Sequence, residues 1–394
     1  MAVGGRKKQP GQQTLKAKRL EMHIRSRPQS GDFNQRRLFG LVLYLVITIT
    51  PLTALAGRSS ETAALSARSF HELQTQLGQF KQFPGTKSFR IDIGDDTVAS
   101  DSASTQFFVA SAIKTLIVCQ YLRDVEDERL SEDEQLPVDD SIRTDASPVL
   151  LNLTGTTAGR SVLEAAITHS DNTATDIALL RVGPNRVRSF ISAAGLNTTL
   201  IPDSTRRFFS YNVGAPPGVD IGWSGVQHVL TSRQLPGPPR QPLNNQETLA
   251  SSADDLVSYY KRALAGAFFT KPETLVEFKR IHLSNTFFPN DTVGYGKGGS
   301  GDWVADFSNV GDFHALSYAG QMVVGKIPVT FCFVVNWNSI DPNRDSSTLT
   351  PAFVSVVKGC MEAIKPGLLH RAPRNHPQFQ DRLPFDLDGL KSPP

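Results

Sequence analysis

The chain has 394 residues, and 41 Lys plus Arg against 38 Asp plus Glu leave a formal charge of only +3, which argues against a nucleic-acid-binding surface spread over the whole protein. Its 39% apolar residues, 30 Gly and 25 Pro exclude collagen-like, fully disordered and polytopic membrane classes and leave room for at least one full core. Three cysteines, Cys119, Cys332 and Cys360, are too few and too far apart for a zinc-ribbon or disulfide scaffold, so the fold must stand on packing.

The charge is concentrated at the start, where residues 1–37 hold ten basic side chains and two acidic ones. This basic n-region leads into the apolar run 38–56, which ends Ala54-Leu55-Ala56 before Gly57. A basic flank, an apolar run and an Ala-x-Ala exit read as a signal peptide cleaved after Ala56, with a single N-in membrane anchor as the alternative. In either case the working part begins near residue 58 and is expected outside the cytoplasm, periplasmic or secreted, or held at the inner membrane by residues 38–56.

From Ser59 to Phe80 the apolar positions Leu65, Phe70, Leu73, Leu77 and Phe80 keep a helical period. Ser88 to Ile93 alternates as a strand, with Phe89, Ile91 and Ile93 on one face. A buried helix is expected over Ala110–Leu122, then an acidic stretch to Glu134, then helices over Ser161–Arg181 and from about Asn185 to Ala194. Ser161 and Glu164 fit a capping box at the start of the first of these. Val213 to Gln246 is Pro- and Gly-rich without periodicity and reads as a long surface excursion.

Helices return at Ser251–Ala265, with Ser251 or Ser252 as the cap, and at Lys271–Ile281. Strands follow at Val293–Gly296, His314–Val324 and Val329–Trp337, and Pro351–Ile364 closes with an amphipathic helix. Residues 366–394 are Pro-rich and polar and read as a disordered tail. An early strand with several late ones around a helical middle gives an α+β fold. Its sheet is antiparallel, built from the N- and C-terminal parts, with an all-helical half inserted.

Three segments could carry chemistry. In Phe107-Phe-Val-Ala-Ser-Ala-Ile-Lys114, Ser111 and Lys114 lie one helical turn apart on one face. A lysine can take the proton of a serine hydroxyl if burial or a second cation lowers its pKa. Ser258 and Lys261 share that spacing, so the pair alone also fits a plain helix surface, but the apolar setting makes an uncompensated Lys114 costly. In His169-Ser-Asp-Asn-Thr-Ala174, Ser170 could relay a proton and Asn172 could hold a carbonyl, while Asp171 could brace the turn; a polar helix-to-helix turn fits as well. In Lys297-Gly-Gly-Ser-Gly-Asp302, Lys297 would supply the second cation and the Ser300 N–H could serve an oxyanion; a glycine-rich hairpin is the other reading.

With Ser-x-x-Lys at 111–114, Ser-Asp-Asn at 170–172 and Lys-Gly-Gly at 297–299 in that order, the chain resembles the class A β-lactamase and penicillin-binding serine hydrolase family over roughly residues 70–365. The flanking segments 165–175 and 250–256 match too. The resemblance implies a β-lactamase/transpeptidase-like domain over 57–365. It implies Ser111 as the acylated nucleophile, Lys114 as its base and Ser170 as a proton shuttle. Asn172 would contact the substrate amide, Lys297 would anchor a substrate carboxylate, and the N–H groups of Ser111 and Ser300 would form the oxyanion hole, with Asp171 structural.

The implied activity is β-lactam hydrolysis through an acyl-enzyme on Ser111. The alternatives are a D-alanyl-D-alanine peptidase or esterase, or a non-enzymatic penicillin-binding sensor. The implied partner is a β-lactam or cell-wall peptide, with no cofactor, metal or nucleic acid. Two departures stand out. Gly298 replaces the usual hydroxyl after the strand lysine, leaving Ser300 to compensate. The register also places Thr205 near the position of the family's deacylating glutamate, with Asp203, Asp220 and Glu247 as possible substitutes.

Overall fold

The computed structural model of the chain describes residues 65–303 and 312–369. In chain order these form α1 (Ala67–Phe80), β1 (Thr86–Ile93), β2 (Asp96–Asp101), β3 (Phe107–Phe108) and a 3-10 turn (Ala110–Ile113) that runs into α2 (Lys114–Glu126). Then come β4 (Gln135–Val138), β5 (Gly155–Ala158), α3 (Gly159–Thr168), α4 (Asn172–Val182), α5 (Pro184–Ala193), α6 (Thr205–Asn212) and α7 (Gly222–Ser232). The last part holds β6 (Ala250–Ser251), α8 (Ala253–Leu264), α9 (Pro272–His282), β7 (Leu283–Ser284), β8 (Val293–Trp303), β9 (Phe313–Val324), β10 (Ile327–Asn338), a second 3-10 turn (Pro342–Arg344) and α10 (Ser346–Leu369). The basic n-region, the run 38–56 and the tail beyond Leu369 lie outside the described residues. Among those described, no helix is long and apolar enough to cross a membrane.

The main sheet has the order β2-β1-β10-β9-β8-β7 and is antiparallel throughout. The early strand pairs directly with the last one, Phe89 opposite Phe333, so the chain's two ends share one sheet around the helical middle, as the α+β reading expects. Strand β10 shows why the sheet needs two cores. Its Phe331, Phe333 and Val335 face α1 and α10, where Leu73, Leu77, Phe80, Phe353, Val357 and Ile364 pack on them. Its Cys332 and Val334 face the other way, into the larger core with α2, α4 and α8. A strand buried on both faces reads as a continuous apolar run, and that is how it is legible.

Several expectations are corrected. The Ser161–Arg181 pattern is two helices, because Ser170 sits at φ +56°, a left-handed backbone that breaks α-helical continuity. The capping box fails: Ala158 precedes α3 without a side-chain cap, and Glu164 instead pairs with Arg280. Helix α6 and the hairpin partner β2 were not foreseen. The Val213–Gln246 excursion contains α7, which buries only Val226 and Val229, too few apolar positions to register as a period. Strand β8 does not stop at Gly296 but continues through the glycines to Trp303. Helix α10 starts at Ser346, not Pro351, because Asp345 caps it by accepting from the Thr348 N–H at 2.7 Å, and it runs four residues past Lys365. The cap of α8 is Ser252, which accepts from Asp255 N–H at 3.1 Å.

Candidate active site

The segment that delivers Ser111 is fixed before it arrives. The Asn336 side chain, near the C-terminal end of β10, donates to Phe108 O at 2.9 Å and accepts from Phe108 N–H at 3.0 Å, so it pairs with that residue as a neighbouring strand would. Val109 N–H donates to Leu249 O at 2.8 Å, and the Ser317 hydroxyl donates to Val109 O at 2.6 Å. With both preceding peptides held, Ala110 is turned to φ +48°, a conformation that costs a non-glycine residue roughly 1–3 kcal/mol and persists only when its surroundings over-determine it. Ser111 then lies in a 3-10 turn whose residues i and i+3 eclipse, which puts its side chain over that of Lys114, the first residue of α2.

The Ser-Asp-Asn turn approaches from α4. Asp171 is fully buried and accepts from Ala174 N–H at 2.8 Å and from Val149 and Leu150 N–H at 2.9 Å each. It braces the turn as the resemblance implied. Held this way, Ser170 and Asn172 both reach the Lys114 amine, which donates to Ser170 O at 2.5 Å and to Asn172 Oδ1 at 2.7 Å, with Ser170 Oγ at 3.4 Å.

Lys114 has no exposed surface, and burial pushes its pKa well below the ordinary lysine value. The charge of Lys297 pushes the same way, and Asp171, Asp176 and Asp145 oppose. Lys297 is itself buried, donates to Gly298 O at 2.8 Å, and is pushed down by desolvation to about 7.

Strand β8 lies against the turn that carries Ser111. A side chain at Gly299 would collide with Val109 O and come within 2.8 Å of Ser111 N, so only glycine allows this approach. Because side chains alternate along a strand, Lys297, Gly299, Gly301 and Trp303 share the face toward Ser111, while Gly298 and Ser300 occupy the other. Ser300 is exposed there; what it can offer at the Ser111 turn is its backbone N–H.

The structure therefore gathers Lys114, Ser170, Asn172 and Lys297 at one point, with Ser111 one 3-10 turn from Lys114 and Ser300 beside the Gly299 contact. The Ser111 hydroxyl is not among the groups bonded to Lys114.

Around this point the acidic groups are all engaged. Thr205 opens α6, with its hydroxyl 3.5 Å from Asn172 O and its N–H donating to Asp176 Oδ1 at 2.5 Å. Asp203 pairs with Arg188 at 2.6 Å and also with Arg207, Asp220 with Arg206 at 2.7 Å, and Glu247 with Arg207 at 2.8 Å. Sequence reasoning missed Asn336, Ser317 and Asp176. Asn336 carried a signal: an amide inside the apolar run Phe331–Trp337 must find buried partners. Among the described residues no cluster of His, Cys, Asp and Glu is placed to hold a metal ion.

A serine beside a buried, pKa-lowered lysine, closed by a Ser-Asp-Asn turn and a lysine-glycine strand in an α+β fold, defines the class of active-site-serine acyl hydrolases. The model of the beta-lactamase enzyme family matches residues 70–274, more than half of the chain, and the chain belongs to that family as a β-lactamase-like serine hydrolase. No curated protein matches it.

Among solved structures it is similar to a β-lactamase from Xanthomonas campestris at 13% identity and TM-score 0.55, over 77% of this chain and 100% of that one. A class A representative from Bacteroides cellulosilyticus gives 14% identity and TM-score 0.56 over the same shares. The structure titled PBP-A gives 17% identity and TM-score 0.51, over 75% of this chain and 96% of that one. At such identities these likenesses speak for the fold.

Proposed function

We propose that the enzyme acylates Ser111 with the carbonyl of a β-lactam or a related amide or ester, using Lys114 as the base. The observation that carries this is the hydrogen bonding of Lys114. A neutral amine has two N–H donors and one lone pair; the donors go to Ser170 O and Asn172 Oδ1, which leaves the lone pair for the Ser111 proton. As Oγ attacks, that proton passes to Nζ, and the carbonyl oxygen becomes an oxyanion received by the N–H groups of Ser111 and Ser300. Each such donor is worth about 3 kcal/mol in the transition state. When the C–N bond breaks, the proton leaves Nζ through the Ser170 hydroxyl to the departing nitrogen. Lys297 holds the substrate's far end by charge and Asn172 its amide.

Release of the acyl group needs a base for water. Thr205 has no proton-accepting charge to offer, and Asp203, Asp220 and Glu247 are held by arginines, so Lys114 must serve again and release is the slow step. A chromogenic β-lactam should give a burst of about one equivalent followed by slow turnover. A steady rate with no burst and no acyl-enzyme would overturn the slow-release reading, and absence of both burst and turnover would remove β-lactams from the substrates.

We place the enzyme outside the cytoplasm on the strength of residues 38–56; a fusion of residues 1–70 to a reporter active only after export should be active, and an inactive fusion would reject that placement.

A further inference from the structure

Beyond the end of β2 the main sheet has an uncovered edge. Peptide groups along an antiparallel strand alternate between its two neighbours. Gly94 N–H donates to Pro328 O at 2.9 Å, and β1 pairs with β10 without a shift from Ile93 back to Thr86. Ser88 and Thr86 therefore aim at β10, while Phe89 and Lys87 aim at the β2 side. Strand β2 ends at Asp101, opposite Phe89, and Ser102 turns the chain away at φ +52°. The N–H and C=O of Lys87, one pair further on, thus meet no strand among the described residues.

A pocket of about 380 Å³ lies between this edge and residues 101–105, at the small end of the range for ligand sites. Its floor is aromatic, with Phe80 from the end of α1, Phe89 from β1 and Phe107 from β3, all buried. Its rim carries the amines of Lys81 and Lys87 and the carboxylate of Asp101. Lys81 and Asp101 offset each other at 3.6 Å. Lys87 is half-buried and donates to Gly85 O at 2.8 Å. It has no carboxylate partner among the described residues, so its charge and two of its three donors are left over. None of the groups gathered round Lys114 lines this pocket.

We propose that the pocket is a second binding site, for a small carboxylate that carries one aromatic ring or an apolar body of that size. The carboxylate accepts from the Lys87 N–H, in the place of the missing strand's carbonyl, and neutralises the Lys87 amine. The ring packs on Phe80, Phe89 and Phe107, where flat groups gain free energy beyond their buried area. The charge balance selects an anion, because the cation left uncommitted on the rim has no other counter-charge there.

The test is an amide NMR titration of the ¹⁵N-labelled full-length protein with 3-phenylpropionate. The Lys87 amide and its neighbours at the pocket should shift and saturate, with a Kd of about 1 mM for a ligand of this size. Lys87→Gln, which keeps the strand but removes the charge, should weaken binding about fivefold. The neutral 3-phenylpropionamide should bind wild type about as weakly. Equal thermal midpoints of wild type and Lys87→Gln show that the variant is folded, and the comparison of acid with amide on wild type needs no variant at all. If the Lys87 amide does not move, or if acid and amide bind equally well, the proposal falls. It falls also if the shifts gather at Ser111, Asn172 and Lys297 instead, since the carboxylate then sits in the site already described.

Discussion

Replacing Asp176 by Asn tests how burial sets both stability and reactivity here. The carboxyl is fully enclosed and holds the start of α6, accepting from Thr205 N–H at 2.5 Å and Arg206 N–H at 3.1 Å. Desolvation outweighs these bonds and pushes its pKa from 3.8 to about 7.

A carboxyl whose pKa is higher folded than unfolded binds more protons in the native state. Its contribution to stability is complete below about pH 4 and is lost as pH rises through 7. At about 1.4 kcal/mol for each tenfold change, the loss is about 4 kcal/mol. Asn cannot ionise, but its amide nitrogen faces the Arg206 N–H and forfeits one bond, about 1 kcal/mol. Asp176→Asn should therefore be less stable than wild type by about 1 kcal/mol at about pH 3 and more stable by about 3 kcal/mol at about pH 8.

Urea unfolding at the two pH values, with equal m-values, measures the difference. The same change removes one of the negative charges that raise the Lys114 pKa. Lys114 is reactive when neutral, so the rising limb of the acylation rate should move to lower pH. A stability difference that does not change sign with pH, together with an unmoved acylation profile, would refute the reasoning.

Other substitutions have equally definite outcomes. Gly299→Ala sets a methyl group against Val109 O and Ser111 N, and stopped assays with a labelled penicillin should show acylation at least about a hundredfold slower; a loss under threefold would mean that β8 does not press on the nucleophile. Lys114→Met removes a buried amine, so acylation should disappear while the thermal midpoint holds or rises; a falling midpoint would show that the amine's two hydrogen bonds outweigh its desolvation. Ser317→Ala removes the 2.6 Å partner of Val109 O, which keeps the Ala112 N–H at 3.2 Å, and should cost about 1 kcal/mol in urea unfolding, with a slower acylation step. Unchanged values for both would mean that this bond does not set the Ala110 turn.

Much of this fold was written in local patterns. The alternation of Phe89, Ile91 and Ile93 and the apolar run of β10 gave the two strands that close the sheet, because a strand's burial is a property of its own residues. The site was legible as three motifs whose order carried the information. What stayed hidden depends on contacts between distant segments. No local signal marks Asn336 as the partner of Phe108, 228 positions away, or shows that Asp203, Asp220 and Glu247 are each spent on an arginine.

Strand β8 runs past its expected end because glycines weaken the sequence signal for a strand, yet one of them, Gly299, is what admits the Ser111 turn. Glu164 matched a capping pattern but answers to Arg280 instead. The α6 helix carries no sequence signal because its eight residues are mostly polar and its start is held by Asp176 from another helix.

The central claim is that one hydroxyl becomes covalently acylated because a neutral, buried lysine stands beside it. Intact mass of the full-length protein, followed over time with benzylpenicillin and then resolved by peptide mapping, tests it most directly. The account predicts one added penicilloyl group on the peptide containing Ser111, persisting for many minutes, and none in Ser111→Ala. Addition at another residue, or equal addition to Ser111→Ala, would contradict it.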